Sequence, residues 1–265
     1  MYIYIFMITI NKDSIGHDTT KNFVFIISSY NQCQFIQKNL ESVKMQDYSK
    51  DKYRIIYVND NSNDDSKNII TDFILENKCI NMKLINNEKN MGPAYSRYIA
   101  YNEALDEEIC IFLDGDDWLV EENTLKMISY VYSKFDIYAT FGSMVDEKHQ
   151  YKKWANFDRK KHNFFPHLRT AYAFLCKSVP MNYLKYDEKE WFKFKTDVAL
   201  FTTICELCKN KYAFIDYELL YYNRYNAINN PHRGYRCPNK TQEQEKKREL
   251  YKDYIANLKE LEPII

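Results

Sequence analysis

Ile109-Cys110-Ile111-Phe112-Leu113, followed at once by Asp114-Gly115-Asp116-Asp117-Trp118, is the stretch that decides how this chain reads. Five apolar residues without a charge read as a strand buried on both faces. Three carboxylates in four residues then leave the strand at its C-terminal end, where open α/β sheets take their ligands. Carboxylates this crowded repel one another and raise each other's pKa. A cation relieves the repulsion, and hard oxygen donors suit Mg²⁺ or Mn²⁺. An ion held by only a few carboxylates keeps open positions for water and phosphate oxygens. The pattern reads as a metal–diphosphate site. The competing reading is a solvated turn into a helix, where Asp is a common N-cap.

The residues on either side make the strand one of several. FVFIIS (23–28) and RIIYV (54–58) are apolar runs of strand length, and Met82–Ile85 is a third. Between them, Phe35, Ile36, Leu40 and Val43, then Ile69, Ile70, Phe73 and Ile74, recur at helical spacing. Ser62, Asn63 and Asp64 are N-cap types ahead of the second helix. Gly92-Pro93 opens a third helix, expected to run to about Leu105, and another is expected near 121–134. Strands alternating with helices predict a parallel sheet with helical crossovers. Past about 138 the pattern changes. Tyr138–Phe141 reads as a strand, 146–165 as irregular chain, 167–177 and 197–209 as helices, Tyr212–Tyr222 as an apolar run and Thr241–Leu261 as a terminal amphipathic helix. The organisation expected is one domain: an extension over 1–22, a ligand-binding half over 23–145, a second half over 146–240 and the terminal helix over 241–265.

Composition removes several classes of function. Lys+Arg and Asp+Glu are 37 each, so no basic field exists for nucleic acid or an anionic membrane. The apolar start, Met1 to Ile10, lacks a basic region and a cleavage site and is too short to span a bilayer; an edge strand or variable extension is expected there. The seven Cys are odd in number and partly embedded in apolar segments, which fits reduced thiols and a cytoplasmic, reducing compartment. Cys205-Glu206-Leu207-Cys208 has no second pair and does not make a zinc site.

The other strand ends carry polar residues. Tyr30 can stack on a base with Ser28 donating to it, or simply pack on the sheet edge. Asp60 can accept the imide N–H of uracil, or act as a helix cap. Arg97, in the first turns of the third helix, can pair with a diphosphate in fork geometry, or be a surface Arg. Neither the dinucleotide-binding glycine fingerprint nor a P-loop occurs.

Taken in order, Phe25-Ile26-Ile27-Ser28-Ser29-Tyr30-Asn31, Val58-Asn59-Asp60-Asn61-Ser62, Asn90-Met91-Gly92-Pro93-Ala94-Tyr95-Ser96-Arg97 and Phe112-Leu113-Asp114-Gly115-Asp116-Asp117-Trp118 resemble glycosyltransferase family 2, of the GT-A fold, across about 23–145. The resemblance implies an α/β, Rossmann-like, mixed and mostly parallel sheet flanked by helices. It also implies a UDP-sugar donor and Mn²⁺ or Mg²⁺. By position, Ser28, Tyr30 and Asp60 would hold the base, Arg97 would lie near the diphosphate, Asp114 and Asp116 would approach ribose and metal, and Asp117 would ligate the metal. Two departures are Ser28, where a Pro is usual, and Asn59, where an Asp is usual.

In the second half, Phe165-Pro166-His167-Leu168-Arg169-Thr170 and Leu219–Asn226 look like segments of some family members. Phe194-Lys195-Thr196-Asp197 opens an apolar helix where such members often carry an acidic general base, so Asp197 is the candidate, with Thr196 replacing a usual Glu. Its alternative is a first-turn carboxylate favoured by the helix dipole. Trp191, His167 and Arg169 are candidates for the acceptor side, although Trp and His in such positions are commonly structural. The expectation is an inverting transfer to a carbohydrate, protein or lipid-linked acceptor, without nucleic acid or a transmembrane segment. The alternative is an inactive nucleotide-sugar-binding module.

Overall fold

The alternation of strands and helices holds in the computed structural model of the chain, which describes residues 6–9, 20–146, 150–151, 165–209, 211–223 and 242–265. The first half runs β1 (Phe6–Ile8), β2 (Phe23–Ser29), α1 (Cys33–Lys44), β3 (Tyr53–Asn59), α2 (Ser66–Glu76), β4 (Asn81–Asn86), α3 (Pro93–Asn102) and β5 (Ile109–Asp114). It continues with β6 (Trp118–Leu119), α4 (Thr124–Lys134), β7 (Ala139–Val145), β8 (Gln150–Tyr151), β9 (Arg169–Tyr172) and α5 (Ala173–Ser178). A 3-10 turn (Met181–Leu184), β10 (Lys185–Tyr186), β11 (Glu190–Trp191), α6 (Thr196–Leu207), β12 (Tyr212–Tyr221) and α7 (Gln242–Asn257) complete it.

The main sheet is ordered β1-β12-β7-β9-β5-β2-β3-β4. Every neighbouring pair along it is parallel except those made by β9, which runs antiparallel to both β5 and β7. The apolar start of the chain does contribute an edge strand, since β1 pairs with β12. β5 alternates as a doubly buried strand must: Ile109, Ile111 and Leu113 join the core with α1, α2 and α4, while Cys110 and Phe112 join the core with α3, α5, α6 and α7. Asp114 continues the second row, so its carboxylate emerges on the α3–α6 side.

One expectation is overturned. Residues 167–177 are not a single helix: Arg169–Tyr172 is a strand, and only Ala173–Ser178 is helical. Thr170 and Ala171 are half of a central strand whose partners lie far along the chain, and tertiary pairing overrides the local apolar spacing. The third helix also stops at Asn102 rather than near Leu105. The expected irregular chain at 146–165 falls largely outside the described residues. No described helix is long and apolar enough to cross a membrane.

Candidate active site

The acidic turn is held from below. Asn39 of α1 donates from Nδ2 to the carbonyls of Asp114 (3.0 Å) and Asp117 (2.7 Å), and Gly115 N–H donates to Ser28 O at 3.2 Å. Gly115 is required by close approach. A Cβ there would come within 2.7 Å of both Gln32 Oε1 and the Ser29 side chain, and 3.1 Å from the Tyr57 hydroxyl. Asn223, just past β12, donates its N–H to Asp117 Oδ1 at 2.9 Å. The motif is thus clamped between the first helix and the last strand.

Four other elements deliver side chains to the same edge. Asp60, at the end of β3, accepts from Asn87 Nδ2 (2.6 Å), Met91 N–H (2.9 Å) and Gly92 N–H (2.8 Å). Those bonds fix the turn in which Gly92 takes φ +87, and Pro93 starts α3 directly after it. From α3, Arg97 pairs with Asp114 Oδ1 and donates to Thr196 Oγ1. Because β9 runs antiparallel, its first residue, Arg169, lies opposite Phe112 near the exit of β5. Arg169 Nη1 reaches Asp197 Oδ2 at 3.0 Å and Nη2 lies 3.9 Å from Asp114 Oδ2. Asp197 stands in the first turn of α6, behind Lys195 in the left-handed region at φ 58.

Charge is arranged unevenly across this cluster. Burial pushes the Asp114 carboxyl up, but Arg97, His167 and Arg169 outweigh it and hold it well below the usual carboxylate range. Burial likewise acts against Asp197, and Arg169 and Arg97 bring it below its ordinary value. Asp117 goes the other way: burial, then Asp116 and Asp114, drive it well above the usual range. Burial and the neighbouring Arg169 push His167 down to about 3, so its imidazole is neutral, and Arg169 Nη2 lies at hydrogen-bond distance from its ring nitrogens, 3.0 Å from Nδ1.

Ligand atoms of Asp114, Asp117 and His167 lie within 4.8 Å of one another. Asp117 Oδ2 is buried without a hydrogen-bond partner, and His167 Nδ1 is 3.7 Å from it. An orphaned buried carboxylate oxygen, a raised carboxyl and a neutral imidazole suit a divalent cation. Asp116, 9% exposed, is not one of these three.

The remaining candidates are placed as follows. Ser28 is half-buried and Tyr30, 39% exposed, stands at the end of β2. The loops after β2 and β3 are joined there by Asn31 N–H to Ser62 Oγ (2.9 Å) and Asn63 N–H to Asn31 Oδ1 (2.9 Å). Asp64 accepts from Cys33 N–H and Ser66 N–H at 3.0 Å each, and so serves the starts of both α1 and α2. Trp191 is packed against Tyr95 and Tyr98, with Lys185 Nζ 4.8 Å from its ring centre. His167 and Arg169 sit at the acidic motif and Asp197 rather than with Trp191. Asn39 and Asn223 were not singled out by sequence, and Thr196 was noted only as the replacement of a usual Glu. Asn39 alone carried a signal: it is a polar residue on the buried face of α1, beside Ile36, Leu40 and Val43.

Comparison with known proteins gives these positions a context. The family model described as Glycosyl transferase family 2 matches residues 24–185. An uncharacterized glycosyltransferase of Methanocaldococcus jannaschii is 30% identical over 173 residues, 62% of this chain and 58% of that protein. The crystal structure of Staphylococcus aureus TarS in complex with UDP-GlcNAc superposes with a TM-score of 0.60 at 20% identity, covering 82% of this chain and 60% of that one. A mannosyltransferase from Pyrobaculum calidifontis in complex with GDP-Man and Mn²⁺ has a TM-score of 0.57 at 17% identity, covering 79% and 60%. The chain thus spans about three fifths of the length of these proteins, and the two solved structures share its fold.

Proposed function

The chain belongs to glycosyl transferase family 2, and from that premise we propose that it transfers a sugar, with inversion, from a UDP-sugar to an acceptor hydroxyl with the aid of Mn²⁺ or Mg²⁺. The observation that carries the reading is the meeting, at one sheet edge, of a cation-ready set (Asp114, Asp117, His167) and a second, ionised carboxylate, Asp197, held by Arg169. A nucleotide sugar in one structural neighbour and Mn²⁺ in another agree with it.

In this reading Asp117, Asp114 and His167 would hold the ion, which when bound would neutralise charge on the donor diphosphate. Arg97 faces the diphosphate, with Asp116 on the ribose side. Tyr30 and Ser28 border the base; Asp60 keeps the Gly92 turn in place, and its Oδ2, which accepts one bond, retains a lone pair for the uracil imide. Asp197, kept ionised by Arg169, takes the proton from the acceptor hydroxyl as that oxygen attacks the anomeric carbon, and the bond from that carbon to the diphosphate oxygen breaks, its electron pair leaving with UDP. One base and one displacement give inversion, by analogy with single-displacement glycoside chemistry.

The test is thermal-shift titration with UDP and a panel of UDP-sugars, with and without Mn²⁺, followed by assay of UDP release with acceptor. A ligand that binds only the folded chain raises its midpoint by mass action. Asp197→Asn should lose transfer and keep UDP binding. Mn²⁺-dependent UDP binding without turnover on any acceptor would favour a binding module. No nucleotide binding at all would remove the donor site.

A further inference from the structure

We propose that Lys195 and Arg248 form a cationic subsite beside Asp197 that binds a phosphate group carried by the acceptor. The inference rests on the reading of Asp197 as the acceptor-side base, and it adds the chemical class of the acceptor.

Lys195 immediately precedes Thr196 and Asp197, at a left-handed turn that opens α6. It is half-buried, and no hydrogen bond or ion pair joins it to another described residue. Arg248 approaches from α7 and lays its guanidinium 4.8 Å from the ring centre of Phe194, the residue before Lys195. Its Nε is buried without a hydrogen-bond partner. The other cations of this face of α7 are committed: Lys247 to Glu190 at 2.7 Å and Lys252 to Glu249 at 2.5 Å.

The nearby carboxylates are committed too. Asp197 is held by Arg169, and Asp114 by Arg97. Burial holds the Lys195 ammonium below its usual range, and Lys252 and Arg248 add to this, while Asp197 and Glu249, the latter paired with Lys252, oppose it. A half-desolvated ammonium and an orphaned guanidinium N–H are unfavourable in isolation. An anion relieves both, and a phosphate matches a guanidinium fork combined with a point-charge ammonium.

Placement distinguishes acceptor from donor. The donor diphosphate has Arg97 and the ion to neutralise it. Lys195 instead stands two residues before the base, where the acceptor hydroxyl must come, and Arg248 lies against Phe194, three residues before it. Arg248 is carried on a docked helix. Tyr251 and Ile255 are buried, Tyr183 Oη donates to Lys259 O at 2.6 Å, and Ile264 N–H donates to Leu207 O at 3.0 Å.

The experiment is calorimetric titration of glycerol 3-phosphate into the full chain, alone and saturated with UDP and Mg²⁺, with glycerol as the control. Binding should persist with UDP present and be absent for glycerol. It should weaken about tenfold or more in Lys195→Ala and in Arg248→Ala, the scale of a lost charge-assisted hydrogen bond, and recover in Lys195→Arg. Binding abolished by UDP would assign the cations to the donor and overturn the proposal. So would unchanged binding in both Ala variants, or no binding to the wild type. UDP binding is read in the same samples. Its absence counts against the donor site, whereas UDP binding without phosphate binding removes only this subsite.

Discussion

Arg169 Nη1 lies 3.0 Å from Asp197 Oδ2, joining the antiparallel strand of the sheet to the first turn of α6. The pair works in one direction: burial acts to protonate Asp197, and Arg169 keeps it ionised.

Removing Arg169 should therefore alter the acid limb of the pH–rate profile. A general base must be deprotonated, and the carboxyl of Asp197 lies below its ordinary value because of Arg169 first and Arg97 second among the charges. In Arg169→Met the acid limb of kcat/KM should move to higher pH. An unshifted limb with reduced kcat would mean that Arg169 serves geometry alone.

Asp117→Asn should stabilise the metal-free protein at neutral pH. The carboxyl of Asp117 is raised in the fold by burial and by Asp116 and Asp114, so the folded chain binds that proton more tightly than the unfolded chain. The associated stability is complete below the unfolded value of about 4 and is lost as pH rises through the folded value. At pH 7 burying Asp117 costs free energy, either as the ionised carboxylate or through the proton it must take up, and Asn carries neither cost. The thermal midpoint without metal should rise, and the further rise on adding Mn²⁺ should vanish. A variant that keeps the Mn²⁺ response would remove Asp117 from the ligand set.

Asn39→Leu should destabilise the chain by about 2 kcal/mol, because the carbonyls of Asp114 and Asp117 lose their shared donor inside the fold. Urea denaturation measures this. The Mn²⁺ response should weaken in parallel, since the turn itself is released; unchanged stability would show that water replaces the amide.

Gly115→Ala should be worse tolerated than its size suggests. The added methyl meets Gln32 Oε1 and Ser29 Cβ at 2.7 Å, and the latter is anchored to a central strand. Overpacking of this kind costs about 1–3 kcal/mol. A wild-type melting temperature together with wild-type UDP affinity would contradict the close approach.

How much of this was readable beforehand depends on range along the chain. The strands β2, β3 and β5 and the helices between them announce themselves because each carries its own apolar periodicity, and the polar residues at their exits follow from the topology. Arg97 and Asp114 fall together because a helix start and a strand end share that edge. β9 was misread: four residues, Arg-Thr-Ala-Tyr, contain no alternating pattern, and their strand character comes wholly from β5 and β7 on either side. The same failure hid the union of His167 with Asp117, which depends on that strand. Asp60 was legible as a functional type but not in its observed work, because its three donors come from a loop about 30 residues away, a pairing no local spacing reveals.

The reversed strand also bears on how such a protein can change over generations. Register fixes Arg169 opposite both Phe112 and Phe141, and the pleat has a period of two, so a slip by one residue would exchange Arg169 for a neighbour that faces α4. Insertions or deletions between β7 and β9 need not cause such a slip, since cross-strand pairing rather than loop length sets the alignment. A change of length between β7 and β9 can therefore leave Arg169 where it meets Asp197 and Asp114.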